Sequence, residues 1–168
     1  MSDMVEYYNG IASGYDELYK EEQLKKFAIL LADDELFVGA DTMLDVGCGT
    51  GFSLDYFPVK KATGIDPADK LVEQYTGKQT ILVGAAEDLP FEDHSFDVVI
   101  SMTAIQNFED IRKGLEEIRR VGKNRFGLSY LKRSSKAEKI EDLIDEIFSE
   151  FQILRIEEEK DFIFIIEE

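Results

Sequence analysis

The chain is poor in sulfur, imidazole and positive charge. Among its 168 residues there is one cysteine, Cys48, and one histidine, His94. An internal disulfide is therefore impossible, and a Cys/His zinc site has too few ligands. No run of about 18 apolar residues reads as a membrane span, and the opening Met1-Ser2-Asp3-Met4-Val5-Glu6 lacks the basic start and apolar stretch of a signal peptide. These absences predict a cytoplasmic protein with no membrane and no metal. Lys and Arg total 19 against 36 Asp and Glu, a formal net charge of -17 that repels phosphate backbones at long range and argues against nucleic acid. The charge is unevenly spread. From Arg112 to Lys139 ten basic residues meet three acids, a local balance of +7.

What is present centres on Met43-Leu44-Asp45-Val46-Gly47-Cys48-Gly49-Thr50-Gly51, which joins an apolar strand to three closely spaced glycines. Glycines let the backbone turn sharply and approach a ligand that a Cβ would exclude, and Asp45, at the end of the strand, is placed to face that ligand. The spacing Gly47-x-Gly49-x-Gly51 differs from the dinucleotide fingerprint G-x-G-x-x-G, whose third glycine comes one residue later, so a pyrophosphate is the poorer match. Asp66 closes the next predicted strand 21 residues beyond Asp45. A carboxylate there can accept hydrogen bonds from both hydroxyls of a ribose. The other use of the same side chain is to cap a helix beginning at Pro67 or Ala68.

The glycine segment resembles motif I of the class I S-adenosylmethionine-dependent methyltransferases, within the type 11 subgroup that is similar to quinone-biosynthesis enzymes. The resemblance continues in Gly84-Ala85-Ala86-Glu87-Asp88-Leu89-Pro90-Phe91 and Ser95 to Ser101, which look like the adenine loop and fourth strand. It extends to Ile11-Ala12-Ser13-Gly14-Tyr15-Asp16, which is similar to an A-x-x-Y-D element. It implies S-adenosyl-L-methionine as cofactor and S-adenosyl-L-homocysteine as product, held by Tyr15, Asp45, Gly47, Cys48, Gly49, Gly51, Asp66, Pro67, Ala86, Glu87, Met102 and Thr103. Tyr15 would lie beside the sulfonium, where cation–π attraction is available. Relatives often carry an acid at the position of Ala85, so here the adenine would rely on backbone groups around Ala86 and Glu87.

Residues 3–37 read as helical, with Leu24, Phe27, Ala28 and Leu31 on one face and breaks at Gly10 and Gly14. Strands are predicted at 42–46, 61–66, 79–83, 96–101, 125–131, 151–157 and 161–167, and helices at 51–57, 68–75, 109–120 and 136–150. Such alternation implies parallel strands joined by right-handed crossovers with helices on both faces, while the short turn at Glu158 to Lys160 makes the last two strands an antiparallel hairpin. The expected fold is α/β: a Rossmann-like three-layer sandwich with a mostly parallel seven-stranded sheet, a reversed final strand and amino-terminal helices. One domain spans 1–168, with a helical cap at 1–38 on a core at 39–168.

The acceptor should approach after the fourth strand, where Gln106 and Asn107 either bond it or cap the helix near Glu109. Lys132 and Arg133 follow the fifth strand and either attract an anionic substrate or start a solvated helix. The Asn/Asp-Pro-Pro-aromatic tetrapeptide of amine and amide methylating relatives is missing. No substrate cover is inserted after Leu131, which leaves an open site. A small-molecule acceptor is the leading expectation; the alternatives are a non-catalytic or partner-dependent cofactor-binding subunit, or an RNA or protein methyltransferase that needs an activator subunit. Methyl transfer from a sulfonium relies on positioning, so no nucleophile or triad is expected. His94 should be a turn residue at the edge of the sheet remote from the cofactor.

Overall fold

The computed structural model describes residues 3–168. Two helices open the chain, α1 at Asp3–Gly10 and α2 at Tyr15–Leu31. The strands are β1 Thr42–Val46, β2 Lys61–Asp66, β3 Thr80–Val83, β4 Val98–Ser101, β5 Arg125–Leu131, β6 Gln152–Glu157 and β7 Asp161–Glu167. Three helices lie between them: α3 at Asp69–Val72, α4 at Ile111–Val121 and α5 at Ala137–Ile147.

One seven-stranded sheet has the order β3-β2-β1-β4-β5-β7-β6. Strands β1 to β5 pair in parallel, and β7 runs antiparallel to both β5 and β6. The reversed final strand is thus slotted between β5 and β6. Alternate side chains along each strand feed opposite faces, as the pleat requires. Leu44, Val99, Phe126, Phe164 and Ile166 pack with Leu115, Ile118, Ile140 and Ile144 of α4 and α5. Met43, Val98, Ile100, Ile163 and Ile165 pack with Phe27 and Leu30 of α2 and with Leu36, Phe37, Leu54 and Phe57. This is the three-layer arrangement expected.

The segment predicted as a helix at 51–57 is instead a series of tight turns, with Leu54 N–H to Gly51 O and Tyr56 N–H to Ser53 O. Its Phe, Ser, Asp and Tyr residues are weak helix formers, and Pro58 disfavours helical geometry at Phe57. The helix predicted at 68–75 is regular only over Asp69–Val72 and then tightens through Gln74 N–H to Leu71 O and Tyr75 N–H to Val72 O. The strand predicted from 96 starts at Val98, preceded by a lone bridge from Phe96 to Gly122. Among the described residues no helix is long and apolar enough to cross a membrane.

Candidate cofactor site

Because β1, β2, β4 and β5 are parallel, their carboxyl ends share one edge of the sheet, and the reversal of β7 brings its first residue, Asp161, opposite Leu131 at that same edge. A cavity of about 530 Å³ opens there, within the range of small-molecule sites. The three motif glycines turn the chain after β1 with φ of +80° at Gly47, +59° at Gly49 and +84° at Gly51, a region unfavourable to other residues. Packing enforces them as well. A Cβ on Gly47 would lie 2.5 Å from Cβ of Ala104, and one on Gly49 would lie 2.7 Å from Oη of Tyr15.

Of the residues expected at the cofactor, Tyr15, Gly47, Asp66, Pro67, Ala86, Glu87, Met102 and Thr103 line the cavity. Asp45, Cys48, Gly49 and Gly51 do not: they form the layer beneath, with the ring of Tyr15 covering Gly49. Of the expected acceptor residues, Asn107 lines the cavity, bonding Oη of Tyr8 at 3.2 Å, whereas Gln106 is buried with its amide donating to Thr103 O at 2.9 Å. Lys132 and Arg133 lie outside the cavity; Lys132 faces Glu157 at 3.4 Å and sits over the ring of Phe162. Glu87 turns its carboxylate toward the amino end of α4, accepting from Glu109 N–H at 2.9 Å and Asp110 N–H at 3.3 Å. His94 is exposed at the opposite edge of the sheet, its N–H bonded to Arg120 O.

The two carboxylates differ in how their oxygens are used. Asp66 accepts from Gly49 N–H at 2.9 Å on Oδ2 and from Ala68 N–H at 2.8 Å on Oδ1, so it ties the glycine turn to the start of α3. Each oxygen retains a lone pair. Burial pushes its pKa up, and the two backbone bonds oppose that. Asp45 takes a hydrogen bond from Ser53 Oγ on Oδ2, while Oδ1 is buried with no partner. Burial, reinforced by the charge of Asp66 and opposed by the Ser53 bond, raises Asp45 to about 7. The spare acceptor positions on Asp66 suit a ligand that donates hydrogen bonds, and the acidic group of Asp45 beneath the glycine turn suits one that carries positive charge.

Several contributors escape motif reading. Tyr19, Gln23 and Lys26 from the cap helices line the cavity, together with Tyr8, whose place near the amino-terminal tyrosine motif already made it a candidate beside Tyr15. Tyr8, Tyr15 and Tyr19 form a chain of rings with centroids 6.1 and 5.1 Å apart. Their helical spacing reads as ordinary packing, and only the fold shows which face is the cavity wall.

A family model described as "Methyltransferase domain" matches residues 44–125. The putative methyltransferase YrhH of Bacillus subtilis is 32% identical over 130 residues, 68% of this chain and 72% of that protein. The chain belongs to this methyltransferase family. An uncharacterized protein of Methanocaldococcus jannaschii, MJ1252, is 35% identical over 122 residues, and a demethylmenaquinone methyltransferase of Chlorobaculum tepidum is 38% identical over 86. The match spans 47% of the former's length and 35% of the latter's. Among solved structures, the putative methyltransferase in complex with the Haloferax volcanii Trm112 activator superposes with a TM-score of 0.76 at 21% identity, covering 95% of this chain and 96% of that one. That likeness is one of fold.

Proposed function

We propose that this chain transfers a methyl group from S-adenosylmethionine to a small-molecule acceptor, releasing S-adenosylhomocysteine. The observation that carries the reading is Asp66: a buried carboxylate at the end of β2, on the wall of the cavity, with both oxygens held by backbone N–H groups and each still able to accept from a ribose hydroxyl. Asp45 Oδ1 offers a buried acceptor behind Gly47, Tyr15 closes the turn from above, and the backbone around Ala86 and Glu87 borders the adenine end. Met102 and Thr103 border the end where methyl transfer occurs.

When bound, the sulfonium donor supplies an activated methyl group. The chain contributes orientation and exclusion of water, which suffice for an in-line displacement. Calorimetric titration with S-adenosylmethionine and S-adenosylhomocysteine, using Asp66→Asn as control, tests the reading. Micromolar binding that the variant loses supports it; a folded parent that binds neither compound refutes it. The demethylmenaquinone methyltransferase relative favours a planar oxygenated acceptor, to be sought with isotopically labelled donor.

A second reading, of a cofactor-binding subunit that works through a protein partner or on a macromolecular acceptor, is supported by one edge of the sheet. Strand β3 has no outer neighbour among the described strands and exposes Leu82 and Val83, which are 37% and 56% accessible. The neighbour solved with its Trm112 activator is consistent with such a partner. Stable co-purification of a second protein, lost when Leu82 and Val83 are replaced by lysine, would favour this reading; a monomer that methylates small acceptors alone would end it.

A further inference from the structure

Lys26 is the only basic side chain among the described residues that line the cavity, and it is 1% exposed. Its ammonium donates to Thr103 Oγ1 at 2.8 Å and to Asp161 Oδ1 at 3.0 Å. Thr103 Oγ1 in turn donates to Asp161 Oδ2 at 2.6 Å, and Ser129 Oγ donates to the same oxygen at 2.8 Å while accepting from Thr103 N–H at 2.7 Å. The direction of every bond follows. Each hydroxyl has one proton, and both are given to Asp161, so Thr103 must accept from Lys26. In this ion pair Asp161 is the acceptor and Lys26 has three N–H donors, two of them placed. The third makes no hydrogen bond among the described residues, although the carboxylate of Glu158 feels the charge of Lys26.

The network also holds Thr103 at φ +55°, a left-handed conformation that a β-branched residue adopts only when its surroundings over-determine it, as they do at ligand sites. Lys26 lies eleven residues along α2 from Tyr15, about 16 Å. It thus sits at the end of the cavity away from the ring that covers Gly49. A spare donor on a buried ammonium is unfavourable until an acceptor meets it, and a charged acceptor meets it best. Elsewhere the cavity wall is acidic, with Glu22, Asp66, Glu87 and Glu109.

We propose that Lys26 holds an oxyanion of a ligand in this cavity, either a carboxylate, phenolate or enolate oxygen of the methyl acceptor or the carboxylate of the methyl donor itself. The identity of these ligands rests on the methyltransferase reading.

The test compares the parent with Lys26→Met and with Lys26→Met/Asp161→Asn. The second variant removes both charges, so that a fold weakened by an unpaired Asp161 does not obscure the result. Each is titrated calorimetrically with S-adenosylmethionine and with decarboxylated S-adenosylmethionine. The protein saturated with S-adenosylhomocysteine is then titrated with 4-nitrophenol, whose phenolate absorbance reports capture of an oxyanion.

A loss of about tenfold or more for S-adenosylmethionine, with the decarboxylated donor unaffected, assigns Lys26 to the donor carboxylate. Unchanged donor affinity, with 4-nitrophenolate taken up by the parent and weakened by about tenfold or more in the variants, assigns it to the acceptor. The proposal is overturned if the variants match the parent for both ligands, if the parent takes up no 4-nitrophenolate while donor affinity is unchanged, or if both donors weaken equally. A parent that binds no donor refutes the methyltransferase reading separately, and 4-nitrophenolate uptake by the ligand-free protein then decides the role of Lys26.

Discussion

The backbone N–H of Gly49 donates to Oδ2 of Asp66 at 2.9 Å, fastening the turn after β1 to the end of β2. With the bond from Ala68 N–H to Oδ1, this makes Asp66 a structural strut as well as a cavity wall. Asp66→Ala orphans two buried donors at roughly 1–3 kcal/mol each. The variant should melt well below the parent. Asp66→Asn keeps one acceptor oxygen and should lose less stability, yet both variants should lose S-adenosylmethionine binding by about a hundredfold. Calorimetry with thermal melts separates the two effects; an Asn variant with parental affinity would remove Asp66 from the site.

Asp45 gives a pH dependence of definite sign. Its folded pKa of about 7 lies above the ordinary carboxylate value near 4, so the folded protein binds the extra proton. The group is neutral in stability below about pH 4, becomes increasingly destabilising as pH rises to 7, and stays so above. Asp45→Asn should therefore raise the melting temperature of the ligand-free protein at pH 8, by about 2–4 °C for each kcal/mol recovered. If the variant melts at or below the parent at pH 8 but above it at pH 5, the sign is wrong.

The same carboxylate should give up its proton when a cationic ligand binds nearby. Titrations with S-adenosylmethionine near pH 6.5 should then show binding heats that change with the ionisation enthalpy of the buffer, with net proton release. Heats independent of buffer would mean that Asp45 stays in one protonation state.

Gly47→Ala should be among the most damaging small substitutions in the chain. The new Cβ falls 2.5 Å from that of Ala104, and the backbone sits at φ +80°. We expect a loss of about 2 kcal/mol or more. Adding Ala104→Gly should restore only part of it, because space returns but the unfavourable φ remains. Full recovery in chemical denaturation would show that φ contributes nothing.

His94 lies at φ +52° in an exposed turn and away from the cavity. His94→Gly relieves the left-handed strain and should stabilise the protein by up to about 1 kcal/mol without altering cofactor binding. A variant that binds the donor more weakly would show an influence from the far edge that no contact here explains.

The sheet was legible in the sequence because its signals are local. The apolar run ending at Asp45, the run ending at Asp66 and the short turn before Asp161 each state a strand and its limit. The segment after Gly51 misled because Phe52, Leu54 and Phe57 supply the apolar content of a helix, while Ser53 is drawn to Asp45 and Pro58 stops the turn. The cavity was half legible. Gly47 and Asp66 lie on strand ends whose direction is dictated by parallel pairing. Lys26 and Asp161 are 135 positions apart and carry no mutual signal, since either reads as a surface charge until the strand order places them together. Arg120 was similarly hidden: it spans Glu117, Asp93 and the carbonyls of Phe91 and Leu89, fixing the loop beside the cavity from a helix end that reads as solvated surface.

Strand β7 pairs with β5 on one side and with the edge strand β6 on the other, so it fills a slot between two strands that precede it in the chain. The contact of Asp161 with Lys26, 135 positions earlier, forms late, after the entropy of closing a long loop has been overcome. During synthesis, a nascent chain can assemble β1 to β4 and the glycine turn while β5 still waits for its neighbour. The network that holds Lys26 and Thr103 in the cavity wall forms only when Asp161 has emerged from the ribosome. The cavity is therefore completed only after β7 has joined the sheet.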